Sequence, residues 1–204
     1  MMDDKSIGYI FGKGGHARVI SSVIDTKLVA IVHGDHMDDE LSEDHFFANI
    51  EEYKRSPVFI GIGNNVIRTS IFERLKVNSI LVSNCISSHS FISNDVSIGQ
   101  GVVICPGVVI NASASIGDNV IVNTLSSVDH DCEVGDNTQI TAGVTIAGTV
   151  KIGKSSFFGI KSAVIPNINI GNNVIVMAGS LVCDDVPDSV MVGGSPARIV
   201  KKID

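Results

Sequence analysis

Every sixth residue from Ile86 to Val182 is bulky and apolar, seventeen in succession with no slip of register: Ile86, Ile92, Ile98, Ile104, Ile110, Ile116, Val122, Val128, Val134, Ile140, Ile146, Ile152, Phe158, Val164, Ile170, Val176 and Val182. A hydrophobic fraction of 44% does not produce that spacing by composition. A short period sustained over half a chain marks a solenoid, in which each repeat buries its apolar face by stacking on its neighbours. The fourth residue after each aliphatic is small or β-branched, as at Val102, Val108, Ala114, Val120, Ser126, Cys132, Thr138 and Val144, so two positions per hexad fill one narrow core. Gly99, Gly117, Asn119, Gly135, Asn137, Gly153, Gly171 and Asn173 fall between them, where corners with positive φ are expected. Each hexad reads as a short strand plus a turn. An open β-sandwich would instead alternate with period two and turn roughly every eight to twelve residues.

The first part of the chain has another texture. Residues 7–11, 27–33 and 58–62 read as strands, and 17–24 and 64–76 as helices, an order that implies βαβ units and a small parallel sheet. The acidic stretch 36–54 reads as a loop followed by a helix. The expected division is an α/β, Rossmann-like domain over 1–83 and a β-helix over 84–204.

At the first strand-to-helix turn stands Gly12-Lys13-Gly14-Gly15-His16, where backbone amides and a helix N-terminus can meet an anion. It lacks the full dinucleotide fingerprint, since Ala17 takes the third glycine's place, and such turns are often only tight turns. A second turn, Gly61-Ile62-Gly63-Asn64-Asn65, ends another strand, and two glycine turns at carboxyl strand ends favour a bound ligand. Asp35, past the second strand, is placed to bond a ribose or to be a solvated loop acid.

Of six histidines only His130 lies beyond residue 90. It follows the inward Val128 by two, at a corner facing out of the core. A solvated turn histidine is the plain alternative, but Asp129 and Asp131 flank it, and neighbouring carboxylates fix a tautomer and raise basicity as a general base requires. If three hexads complete a coil, Gly148 stacks on His130 at a strand spacing of about 4.8 Å.

Fifteen basic against 22 acidic side chains leave a net charge of −7, which disfavours nucleic acid. No apolar run reaches the roughly eighteen residues of a membrane span, and the acidic start is unlike a secretory signal, so a cytoplasmic protein is expected. Four cysteines without C-x-x-C spacing read as free thiols, with no structural zinc.

Hexads such as Ile116–Val120 and Val134–Thr138 resemble the left-handed parallel β-helix acyltransferases; the handedness comes from that resemblance, since the crossover rule favours the opposite hand. Over nearly the whole chain the sequence is similar to bacterial nucleotide-sugar acyltransferases of the sialic-acid O-acetyltransferase and bacillosamine-pathway N-acetyltransferase group. The matching segments are Gly12–His16, Ile62–Asn65 with Arg68, Val128–Cys132 and Gly193–Arg198.

The resemblance implies acetyl-CoA as co-substrate, no metal, and a nucleotide-linked amino sugar, with a UDP-linked 4-amino sugar as the first choice. It makes His130 the base, Asp131 its partner and the Gly148 amide the holder of the thioester oxygen. Gly12, Gly14, Gly15, His16 and Asp35 would hold the nucleotide, and Gln139, Gly148, Pro196 and Arg198 would meet the coenzyme. Gln139 stands where some relatives carry a second histidine, and it cannot carry a proton.

A homotrimer with coenzyme in the grooves between subunits is also implied, and the outward Val103, Val109, Ile121 and Ile175 are offered as its apolar contact surface. Two other classes fit less well. Hexapeptide carbonic anhydrases need three zinc-binding histidines, and the repeat region has only His89 and His130. An ice-binding or purely structural solenoid needs a flat regular face. An O-acetyltransferase of a free sugar such as sialic acid shares the base, thioester and fold, and stays open.

Overall fold

The computed structural model describes residues 7–34 and 37–203, which divide into two compact units, Met1–Cys85 and Ile86–Asp204. In the first, β1 (Ile7–Phe11), β2 (Lys27–Val32), β3 (Leu41–Ser42) and β4 (Val58–Ile60) form a parallel sheet of order β3-β2-β1-β4. The chain runs outward from β1 to β3 and returns to β1's other side, so a topological switch lies between β1 and β4, paired through Phe11 and Ile60.

Helix α1 (Gly15–Val23) begins two residues earlier than the apolar pattern indicates, because its first turn is the glycine turn itself. Helix α4 (Asn65–Val77) starts where Asn64 caps it, Oδ1 accepting from the Ile67 N–H. Between them the weakly patterned 36–54 stretch contains the edge strand β3, α2 (Glu43–Ala48) and α3 (Ile50–Tyr53). Period reading cannot detect a two-residue strand. Phe11, Phe46, Phe72 and Leu75 are buried in the core on one sheet face. On the other, α1 comes so close that a Cβ on Gly61 would lie 2.6 Å from the Ala17 Cβ.

In the second unit, seventeen two-residue strands follow among the described residues, β5 (Cys85–Ile86) through β21 (Leu181–Val182). Each ends on one of the seventeen periodic apolar residues. They stack into three parallel sheets, and partners lie eighteen residues apart, as Ser127 pairs Thr145 and Val128 pairs Ile146. Three hexads therefore make one coil. From Ile104 onward the aliphatics are buried, whereas Ile86 is 40% exposed and Ile92 and Ile98 are half-buried, because the first coil has none beneath it.

Several polar residues at inward slots are satisfied across corners, whereas the buried Ser162 Oγ has no partner among the described residues. Ser126 Oγ donates to the Thr141 carbonyl at 2.6 Å and Thr138 Oγ1 to that of Gly153 at 3.1 Å. The corner expectation needs correction. Left-handed residues recur every six positions, as at Gly107, Ser113, Asn119, Leu125, Asp131 and Asn137, but Gly99, Gly117, Gly135, Gly153 and Gly171 are not among them. That column is glycine because coils touch there: a Cβ on Gly117 would lie 2.5 Å from Asp136 Oδ1.

The top coil is two residues short, Ile170 bridging Val186. The stack ends in a hairpin of β22 (Val190–Gly194) and β23 (Ala197–Lys202), turned through the cis Ser195–Pro196 bond.

Candidate active site

His130 lies at the corner between β12 (Ser127–Val128) and β13 (Glu133–Val134). Its neighbours come from the corner's own geometry. The Asp129 carboxylate accepts from the His130 N–H at 2.8 Å, closing the turn, and from Asn111 Nδ2, one coil below, at 2.7 Å. These bonds, the Asn111 one foremost, hold the Asp129 carboxyl below the usual range. Asp131 adopts φ 57°, which turns its carboxylate back toward the ring, and Oδ2 sits 2.8 Å from His130 Nδ1. That hydrogen bond, with the Asp129 charge behind it, raises the His130 pKa above the ordinary histidine value. A proton on Nδ1 directed at Asp131 leaves Nε2 as the acceptor.

Gly148 lies one coil above, its neighbour Thr149 donating to the His130 carbonyl at 2.9 Å. A Cβ there would stand 2.6 Å from Nε2 and 2.7 Å from Cε1, so the imidazole rests on the glycine's bare face. In several repeats the amide at this corner position is capped by a side-chain oxygen: Asp118 by Asp136, Thr124 by Asn123, His130 by Asp129, Lys154 by Asn172. At Gly148 the preceding residue is Ala147 and the residue one coil above is Pro166, neither of which has a side-chain oxygen. Among the described residues its N–H has no acceptor. A proton acceptor and an uncommitted donor thus stand side by side, as attack on a carbonyl demands.

Cys132, two residues on, is buried and donates to the Ala147 carbonyl at 3.1 Å; burial pushes its thiol pKa up, the opposite of a nucleophile's need. Among the described residues no cluster of three His, Cys, Asp or Glu side chains could hold a metal ion.

In the N-terminal unit, strand order brings the two glycine turns together at the switch between β1 and β4. Gly12 has φ 94°, and its would-be Cβ meets Ile62 Cγ1 at 3.1 Å. Gly14 N-caps α1 with no side-chain cap, and nothing lies within 4 Å of its Cβ position, so the helix end beside Gly15 is open. His16 points inward. Burial, then the Arg68 charge, lowers its pKa to about 4, and its buried Nε2 has no hydrogen-bond partner among the described residues. Arg68 itself is 1% exposed, its pKa lowered to about 10 by burial. Asp35 lies outside the described residues.

The remaining expected positions are apart. Gln139, in β14 (Gln139–Ile140), belongs to the eight-stranded sheet, across the prism from the His130 corner, and is 9% exposed. Arg198 pairs with Asp184 at 3.0 Å. Asp184 lies fifty-four residues beyond His130 in sequence, at the same corner three coils up, roughly 14 Å along the axis. Pro196 forms the hairpin turn beside it. Of the outward apolar residues offered as contact surface, Val103 and Ile121 are already buried within the chain, leaving Val109 and Ile175 partly open. Asn111 was invisible as a site residue because it reads as a turn former, although the eighteen-residue offset leads from it to Asp129.

Residues 113–148 match the bacterial transferase hexapeptide family (six repeats), and residues 9–75 the PglD N-terminal domain family. The chain is similar to PerB, the perosamine N-acetyltransferase of Caulobacter crescentus, solved with CoA and GDP-perosamine: 31% identity over 97% of this chain and 98% of that one, TM-score 0.89. It is also similar to the acetyltransferase domain of PglB from Neisseria gonorrhoeae FA1090, solved with acetyl coenzyme A: 26% identity, 96% and 100% coverage, TM-score 0.86. An α/β unit followed by this coil defines an enzyme, an acyltransferase of the left-handed parallel β-helix class. Within that class, the chain belongs to the family of hexapeptide-repeat sugar acyltransferases that includes perosamine N-acetyltransferase.

Proposed function

We propose that this enzyme transfers the acetyl group of acetyl-CoA to the amine of a nucleotide-linked amino sugar, with His130 as general base. The observation that carries the reading is the His130 corner: Nδ1 tied to Asp131 at 2.8 Å, and Nε2 beside a glycine whose amide is uncommitted. The amine nitrogen attacks the thioester carbonyl, Nε2 takes its proton, and negative charge gathers on the carbonyl oxygen, where the Gly148 N–H donates. Collapse breaks the C–S bond, and the proton passes from His130 to the departing sulfur. No enzyme nucleophile takes part. A donor fixed in advance contributes on the order of 10²–10³ in rate and a positioned base 10²–10⁴.

Gly12, Gly14, Gly15 and His16 with Asp35 hold the nucleotide. Pro196 and Arg198 lie along the coenzyme, the guanidinium about one pantetheine arm from the reacting carbon. Gln139 reaches the coenzyme only from a neighbouring copy, which agrees with a homotrimer. Nucleotide sugars and acetyl-CoA are cytoplasmic metabolites, and no helix among the described residues is long and apolar enough to cross a membrane. UDP is the nucleotide expected from sequence; the GDP-perosamine complex of the Caulobacter crescentus enzyme favours GDP as a second reading.

Release of CoA is to be followed with UDP-, GDP- and dTDP-linked 4-amino sugars and with free sialic acid. Turnover with a nucleotide-linked amine is expected. Turnover with the free sugar alone would replace N-acetylation by O-acetylation.

A further inference from the structure

We propose that the N-terminal unit selects a guanine nucleotide, and that Glu43 reads the base in an apolar slot beside the glycine turn. The inference rests on the nucleotide-linked substrate above and decides its base, taking the guanine reading over the UDP expected from sequence.

A cavity of ≈ 220 Å³ opens at the carboxyl ends of β1 and β2, on the sheet face covered by α2 and α4. Ile31, Ile67 and Ile71 form apolar walls suited to the faces of a flat ring, and Lys13, His33 and Glu43 form its polar rim. Gly12 lines the same cavity, so a base placed here directs its ribose and diphosphate toward the open amides at Gly14 and Gly15.

Glu43 is the first residue of α2, and its side chain is only 17% exposed. Its Oε1 accepts from Arg74 Nη1 at 2.6 Å, and Arg74 in turn lies 3.5 Å over the Phe47 ring, which fixes the carboxylate in place. Its Oε2 is 3.8 Å from His33 Nδ1, beyond hydrogen-bond range. An ionised carboxylate only accepts, and each oxygen has more than one lone pair, so the Arg74 bond leaves both able to receive a donor.

The bases differ at that edge. Guanine presents two adjacent donors, N1–H and an N2 amino hydrogen, which one carboxylate can take together. Uracil and thymine present a single N3–H between two carbonyl oxygens, and either oxygen would face the negative charge. Adenine and cytosine offer one amino donor beside an acceptor nitrogen. Only guanine matches both oxygens.

The test is calorimetric titration of the full chain with GDP, UDP, dTDP and ADP, without sugar or acetyl-CoA. GDP is expected to bind at least about tenfold tighter than the others, the scale of one hydrogen bond to a charged group. Glu43→Gln is expected to close the gap from both sides, weakening GDP and tightening UDP, because the charge that would face a uracil carbonyl oxygen is gone. UDP or dTDP binding as tightly as GDP would overturn the guanine assignment and leave the nucleotide-linked substrate standing. An undiminished GDP preference in Glu43→Gln would remove Glu43 as its reader. Binding of none of the four would overturn the nucleotide-linked substrate and this inference with it. The wild-type ranking decides the base even if the variant fails to fold.

Discussion

In the β-helix a residue's neighbour is found by adding eighteen, whereas in the N-terminal unit it is found from the order of the strands. His130 meets Gly148 because the coil repeats; Gly12 meets Gly61 because β4 lies against β1 on the side away from β2. The contrast gives glycine three different tasks. Gly148 makes room for the His130 imidazole, Gly61 makes room for helix α1, and Gly14 has open space around it. In the β-helix a defect should therefore stay local to one corner, while in the sheet the same substitution acts on binding or on packing according to position.

The largest expected effect is from His130→Ala, which should lower turnover by roughly 10²–10⁴-fold with an unchanged melting temperature, since the ring is exposed and adds nothing to the core. Loss of the folded state together with activity would count against a catalytic role. Next is Gly148→Ala. Its methyl must displace the imidazole, and a misplacement of about 1 Å costs on the order of 10²-fold in rate. Unaltered turnover would show that the ring's position over Gly148 does not matter.

On the other side of the comparison, Gly14→Leu is expected to raise the sugar KM about tenfold or more while acetyl-CoA binding and melting stay as they were, because the backbone at Gly14 is extended and its surroundings are empty. Gly61→Ala should do the reverse, lowering stability by about 1–3 kcal/mol through overpacking against Ala17. If both variants lost stability alone, the glycine turn would be a structural feature and not a nucleotide site.

The two regions also differed in how far they could be read. The period of six located every strand of the coil, and the offset of eighteen placed Gly148 on His130 without coordinates. It could not show that Val103 and Ile121, which point outward, are covered within the chain, because a period reports direction and not what lies beyond. Nor could it separate glycines that need positive φ from those squeezed between coils. In the N-terminal unit the main strands and helices were legible, and the crevice followed from two glycine turns. Glu43 was not, since one acid in an acidic stretch has no distinguishing pattern until α2 and Arg74 set it at the rim of a cavity.

Whether a neutral imidazole at His130 acts as base, with Asp131 on its far nitrogen, is decided by the pH dependence of kcat/KM in the wild type and in Asp131→Asn. Asparagine tolerates the left-handed φ at this corner, so the backbone should hold. Because the base works unprotonated, activity falls as pH drops through its pKa, which Asp131 and Asp129 raise above about 6.5. Removing the Asp131 charge should lower that pKa, moving the acid limb to lower pH and reducing the plateau. An acid limb at the same pH in both proteins would contradict the account.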